Sequence, residues 1–289
     1  DDKHVVTVRD ARPVREAFTL DRCGFQLLSL GKTLSANCAD GESVSRNLYP
    51  VAAEYMRQAT GASKVFVFDH IYRDAGLVKQ ETDAGIEPKS REATPFLGQP
   101  VIMAHNDYTV RSGVSRARQL LEPYAPAEEI DEVLKGRFAI INFWYPLDDV
   151  VRNAPLAMIN WDSSQPRDVQ TIRIDYGHRQ AETYRVLHSP AHEWVYFSQM
   201  RNDEAILLKV FDSCENVARF ALHSAVDTSE NPENPEIYSR RSIELRCLVF
   251  YDEQREDFAA DFLAPHLRLG YSESSSMKME ALPVDGDNW

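Results

Sequence analysis

His105-Asn106-Asp107 sets an imidazole and a carboxylate one residue apart. In a β-strand, residues i and i+2 point to the same face, so His105 and Asp107 would project together. A distal histidine, His223, would complete a set of two imidazoles and one carboxylate. That set holds iron(II) on one face and leaves the other coordination positions open. A bidentate oxoacid and O2 could share them. Taken alone, His-x-Asp is also the pattern of a solvated polar pair, and His223 could be a strand-end residue in a satisfied hydrogen bond. A third feature adds weight. Arg240-Arg241-Ser242 repeats the i, i+2 spacing with a guanidinium and a hydroxyl. Together they can grip a carboxylate, although a solvated basic strand end has the same pattern.

Other polar groups compete less well. His188 and His192 are four apart, but Pro190 lies between them and the glutamate of a His-Glu-x-x-His zinc helix is missing. They are expected to flank a turn. His70 beside Asp69 is expected to support the site or a substrate. Arg73 could bind an anionic substrate or form a surface salt bridge. Ser163-Ser164 lacks the Gly-x-Ser-x-Gly context of a hydrolase, and no glycine-rich phosphate loop follows a strand. Trp144, Tyr196 and Phe197 are candidate pocket-lining aromatics, with core packing as the alternative for all three.

The elements that must position these residues change character along the chain. Val51, Ala52, Tyr55, Met56 and Ala59 mark a helix face, with Pro50 in the first turn and Gly61 as its end. Lys64 to His70 reads as a strand. Residues 74 to 100, rich in charge, glycine and proline, read as a long loop and a plausible lid. A strand is expected from Val101 to Asp107. Helices are expected from Gly113 to Leu121 and from Pro126 to near Gly136. Beyond 137 short β-rich runs dominate: 138–144, 156–159, 171–176, 183–187, 194–197, 205–211, 219–223 and 242–251. Such spacing suggests a sandwich or jelly-roll barrel. The expected organisation is one domain over 1–289, α+β but mainly β. An N-terminal α/β part (about 1–136) packs on a β-rich core (about 101–251), with a loosely held tail at 272–289.

Composition bounds the function. The chain has 289 residues, enough for a sizeable core. With 32 Lys and Arg against 45 Asp and Glu, the net charge is −13, which disfavours nucleic acid and anionic lipid as partners. No apolar stretch is long enough to span a membrane, and the N-terminus has neither the basic start nor the apolar run of a signal peptide. Cys23, Cys38, Cys214 and Cys247 form no C-x-x-C pair, and Cys247 reads as a core residue. Sparse cysteine fits a reducing cytoplasm. A small-molecule substrate and a monomer or homodimer are expected.

The order His-x-Asp, distal His, Arg-x-Ser resembles the jelly-roll iron(II)/2-oxoglutarate oxygenases. More narrowly, the chain resembles the hydroxylase/desaturase family that includes a gibberellin desaturase and cephamycin-pathway relatives. The resemblance runs from about Phe18 to Tyr251. It rests on Phe18-Thr19-Leu20-Asp21 with Gly24-Phe25, Phe68-Asp69-His70 with Arg73, and His105-Asn106-Asp107-Tyr108-Thr109. It continues in Asn142-Phe143-Trp144 with Pro146, Pro155-Leu156-Ala157, His192-Glu193-Trp194 with Tyr196-Phe197, Phe211-Asp212-Ser213, His223, and Arg240 to Arg246. It implies a double-stranded β-helix (cupin-like) core with flanking helices. It implies Fe(2+) on His105, Asp107 and His223, with 2-oxoglutarate held by Arg240, Ser242 and Asn142 and O2 as co-substrate. Arg73, Trp144, Tyr145 and Tyr196 become candidate substrate contacts. Two positions depart from the family pattern: Tyr145 stands where arginine is expected, and Arg241 where glutamate is expected. A metal-dependent hydrolase or isomerase on a similar barrel, or a non-catalytic partner subunit, would use the same residues differently.

Overall fold

The computed structural model describes residues 3–85, 97–175, 180–226, 240–251 and 278–281. Two sheets face one another. The larger runs in the order β1 (Val8–Asp10), β10 (Trp194–Tyr196), β7 (Leu156–Ile159), β12 (His223–Ala225), β5 (His105–Asn106), β9 (Gln180–Val186), β8 (Val169–Asp175), β14 (Lys278–Ala281). The smaller runs β2 (Phe25–Ser29), β11 (Glu204–Asp212), β6 (Phe138–Pro146), β13 (Arg241–Phe250), β3 (Lys64–Asp74), β4 (Leu97–Gly98). Pairing is antiparallel except between β1 and β10 and between β3 and β4. The architecture is the expected mainly β, α+β double-stranded β-helix. Its helices are α1 (Leu20–Cys23), α2 (Gly41–Asn47), α3 (Tyr49–Thr60), α4 (Ala75–Asp83), α5 (Val110–Leu121) and α6 (Ala127–Val133).

Alternation along the central strands divides the interior. On β13, Ile243, Leu245, Cys247 and Val249 join Ala52 and Met56 of α3 in one apolar cluster on the outer face of the smaller sheet. Each such fully buried aliphatic contributes roughly 1.5–3 kcal/mol. The inner face carries Phe138, Ile140 and Trp144 of β6, which pack with Met158 and Val195 of the larger sheet and with Phe197 just after β10. Cys247 is a buried core residue, as expected.

Several elements differ from the sequence reading. Residues 74 to 100 are not all loop: α4 opens where Asp74 caps the Leu77 amide, and β4 follows at Leu97–Gly98. The intervening 86–96 lie outside the described residues. The strand expected over 101–107 is regular only at His105–Asn106. Its earlier residues hold single backbone bonds, Ala225 N to Val101 O and Val186 N to Ala104 O. Helix α5 starts three residues early because Thr109 and Ser112 form a reciprocal cap. Gly113 lies inside it, pressed against Phe211, and a Cβ there would collide with that ring. Residues 219–222 are not a strand but a crossing between sheets: Ala221 N bonds to Lys209 O of β11, and Leu222 O accepts from Ile159 N of β7. His223 therefore begins a strand rather than ending one. The N-terminal part packs on the smaller sheet through α3 and also contributes a strand to it. Its strand β3 pairs with β13 along its length. Most of the tail expected to be loosely held lies outside the described residues, but Lys278–Ala281 pairs with β8.

One irregularity decides which side chains reach the site. Arg246 is opposite Asp69, but Cys247 is opposite Val67, so Phe68 is an extra residue in β3. This bulge flips the alternation. Val65 and Val67 face the outer cluster, and Phe66 and Phe68 face inward. Beyond it Asp69, Ile71 and Arg73 share the inner face with Arg246, Glu244 and Ser242. His70 consequently turns outward, where its Nδ1 lies 2.8 Å from the Tyr49 hydroxyl. Asp69, not His70, supports the site.

Candidate iron centre

His105 of β5 and His223 of β12 are direct cross-strand partners, so both imidazoles project from the same patch of the larger sheet. Their ring centroids are 4.4 Å apart. Asp107 follows two residues after His105. One ligand atom from each of the three lies within 4.8 Å of the others. The two histidines are oriented alike. His105 Nδ1 lies 2.7 Å from Met103 O, and His223 Nδ1 lies 2.9 Å from Ala221 O. An Nδ1–H donated to a carbonyl leaves Nε2 as the free lone pair, the arrangement a metal ligand needs. Burial, reinforced by His105, holds His223 down to about 4, so it is a neutral imidazole at neutral pH. Burial alone would raise the Asp107 carboxyl. Contact with His105 and the charges of Arg246 and His223 outweigh it and hold the group well below the usual range. The sequence-predicted triad is thus assembled.

The smaller sheet supports this triad from across the interior. Asn142 of β6 donates its amide to Asp107 Oδ2 at 3.0 Å. Arg246 lies 3.8 Å from the same oxygen through Nε, and its Nη1 bonds to Asp69 Oδ2 at 3.0 Å. Asn142 was expected on 2-oxoglutarate, but the register gives its amide to Asp107. It faces Arg246, whereas the residue facing Ser242 is Pro146, about 13 Å away along the strand.

At the other end, Arg240 and Ser242 are 3% and 0% exposed. The Arg240 guanidinium lies over the Trp144 ring, 5.3 Å from its centroid, and donates to the carbonyl of Ala154. Ala154 adopts φ 44°, a left-handed conformation uncommon for a residue with a Cβ. Among the described residues no carboxylate comes within ion-pair distance of Arg240. Its Nε and the Ser242 Oγ are buried without a hydrogen-bond partner among the described residues. Burial, with Arg73 nearby, pushes Arg240 down to about 9. Buried polar groups are normally satisfied. A guanidinium and a hydroxyl left open side by side fit the distal carboxylate of a dicarboxylic oxoacid.

The remaining candidates divide by face. Arg73 lies opposite Ser242 on the inner face and donates to Gln99 O at 2.8 Å. Trp144 is also inward. Tyr145 is one residue on and points away from the iron ligands. It packs in the outer cluster, and its hydroxyl bonds with Asn202 O and Leu34 N. Tyr196 faces Ala157, beside Ser224, on the side of the larger sheet opposite His223 and Met158. Neither tyrosine reaches the triad's side of its sheet. Glu244 was missed: it sits between Ser242 and Arg246 on the inner face, 5% exposed, and burial followed by the Asp107 charge raises its carboxyl. The alternation Ser242, Glu244, Arg246 through an apolar run was the signal for it and for Arg246. Away from the site, His192 Nε2 lies 3.1 Å from Asp168 Oδ2, in the turn expected for it.

Fold and site together define an iron(II)/2-oxoglutarate-dependent dioxygenase. A family model described as an oxidoreductase/YMDC permease-like domain matches residues 1–250. No described helix is long and apolar enough to cross a membrane. The chain is 30% identical over 265 residues to hydroxylase/desaturase CTB9 of Cercospora beticola, covering 87% of this chain and 78% of that one. It is 29% identical over 264 residues to hydroxylase/desaturase efuI of Hormonema carpetanum, covering 87% and 85%. Its fold superposes on the iron and alpha-ketoglutarate-dependent endoperoxidase NvfI with a TM-score of 0.68, at 25% identity over 85% of this chain and 83% of that one. The chain belongs to the family so matched and to the iron(II)/2-oxoglutarate-dependent hydroxylase/desaturase family.

Proposed function

We propose that the protein binds iron(II) through His105, Asp107 and His223, takes 2-oxoglutarate as co-substrate, and oxidises a small organic molecule by hydroxylation, desaturation or oxidative ring closure. The observation that carries this reading is the pairing of the triad with an unsatisfied buried Arg240 and Ser242 in the same interior. When bound, iron(II) and 2-oxoglutarate supply O2 activation coupled to decarboxylation of the oxoacid to succinate and CO2.

The residues divide the remaining work. His105 and His223 present Nε2, and Asp107 presents a carboxylate oxygen, to one metal ion. Arg240 and Ser242 hold the distal carboxylate of 2-oxoglutarate and fix its direction toward the metal. Trp144 covers the guanidinium and keeps water from it, which strengthens the charge pair. Arg73, inward and beside Ser242, is placed to hold an anionic group of the substrate. The relatives include hydroxylase/desaturases and an endoperoxidase, and the metal ligands do not choose among such outcomes. Candidate small metabolites should be screened for succinate release that requires iron(II), O2 and the metabolite. A product heavier by one oxygen marks hydroxylation, and one lighter by two hydrogens marks desaturation or ring closure. No succinate under any of these conditions, from protein shown to bind iron(II), would overturn the proposal.

A further inference from the structure

A polar row crosses the three central strands of the smaller sheet. Asp69 of β3, Arg246 of β13 and Asn142 of β6 occupy adjacent register positions, and all face inward. The row is held together at one end by the Asp69–Arg246 bond of 3.0 Å. At its other end both Asn142 Nδ2, at 3.0 Å, and Arg246 Nε, at 3.8 Å, address the same atom, Asp107 Oδ2. The other oxygen, Oδ1, is turned to the imidazoles, 3.6 Å from His105 Nε2. The carboxylate is divided: one oxygen belongs to the smaller sheet and one to the ligand cluster.

We propose that the Asp69–Arg246–Asn142 row is a positioning device that restricts Asp107 to one metal-bound oxygen. The consequence concerns the open positions. A carboxylate binding through both oxygens would take one of the places that a bidentate oxoacid and O2 need. Asn142 opposes this with a directed hydrogen bond, and Arg246 with a charge anchored from behind by Asp69. The bulge at Phe68 is what brings Asp69 into the row. The inference rests on the iron-site assignment above.

The test uses the full chain, metal-free and without O2, titrated with cobalt(II) as a spectroscopic stand-in for iron. Ligand-field absorption reads the coordination of the metal, and a second titration with 2-oxoglutarate reads the openness of the site. In Asn142→Ala and Arg246→Met the cobalt spectrum is expected to change. The affinity of the cobalt-loaded protein for 2-oxoglutarate is expected to fall roughly 10- to 100-fold, the usual scale for loss of a ligand's supporting contact. Arg246→Lys, which keeps the charge but not the fork, should fall between. Asp69→Asn touches no ligand and should reproduce a weaker form of the Arg246→Met spectrum. It also serves if Arg246→Met does not fold. Variants that lose cobalt affinity but keep the wild-type spectrum and 2-oxoglutarate affinity would show the row to be merely structural, and the inference fails. Wild-type protein that binds no cobalt at all would instead overturn the iron-site reading beneath it.

Discussion

The iron end of the site and its anchor end are both buried, but their polar atoms are treated differently. At the iron end the protein supplies partners for the ligand side chains: backbone carbonyls for both Nδ1 atoms, Asn142 and Arg246 for Asp107, and Asp69 for Arg246, with only the supporting atoms Asn142 Oδ1 and Arg246 Nε lacking a hydrogen bond among the described residues. At the anchor end Arg240 Nε and Ser242 Oγ have none among the described residues, and the guanidinium lies on Trp144 with no described carboxylate in ion-pair distance. In the first region the ligand side chains are held by protein partners. The second is incomplete, and its missing partner has the shape and charge of a carboxylate. A truncation should therefore cost stability at one end and restore it at the other.

The largest effect should come at the iron end. Asp107→Ala removes the only carboxylate of the triad, and succinate formation should drop to the background of metal-free protein. Folding stability should fall as well, by about 1–3 kcal/mol, because the Asn142 amide loses its acceptor. Denaturant unfolding of the metal-free protein measures this. Arg240→Met should behave oppositely. Loss of a buried charged partner should weaken 2-oxoglutarate binding by about 2–5 kcal/mol. Yet the metal-free variant should unfold at a higher temperature than wild type, since it no longer buries an uncompensated cation. A destabilised Arg240→Met protein would break the comparison.

A pH titration sharpens it. His223 is held down to about 4, against about 6.5 in an unfolded chain. Above pH 6.5 it is neutral in both states and contributes nothing. Between pH 6.5 and 4 the unfolded chain takes up a proton that the folded site refuses, so stability falls as pH falls. The loss should reach about 3 kcal/mol at the low end. His223→Gln should flatten that part of the profile in the metal-free protein. The smallest effects are Ser242→Ala, which should weaken 2-oxoglutarate binding by about 1 kcal/mol, and Tyr145→Phe, which should cost about 1 kcal/mol of stability. Tyr145→Phe should leave 2-oxoglutarate affinity untouched, because that side chain faces the outer cluster.

The same division explains what could be read in the sequence. His105, Asp107 and the Arg240-x-Ser242 pair were legible because their information is local: the i, i+2 spacing keeps two side chains together even though Asp107 and Arg240 each lie one residue outside β5 and β13. His223 was legible as a residue type but not as a strand start, because residues 219–222 cross between sheets on bonds to distant partners. Tyr145 and Tyr196 failed as site residues for the opposite reason. Tyr196 lies on an expected strand and Tyr145 one residue past the end expected for its own, but periodicity alone does not say which of two buried faces holds the chemistry. Where both faces of β6 are fully buried, the apolar–polar contrast that would orient the strand disappears. Asp69 was hidden by a single extra residue, which no alternation pattern reveals.

That extra residue makes the chain's length, and not only its chemistry, a heritable constraint. Loss of codon 68 would change no iron ligand and would remove one phenylalanine from a strand that has another, Phe66. It would also restore strict alternation and send residues on one side of the gap to the wrong face. Either Val65 and Val67 would leave the outer cluster, or Asp69 and Arg73 would leave the interior. Substitutions at Phe68 are expected to be tolerated far more readily in a library of variants than its deletion. An in-frame gap there marks a lineage that has given up this arrangement or rebuilt it elsewhere.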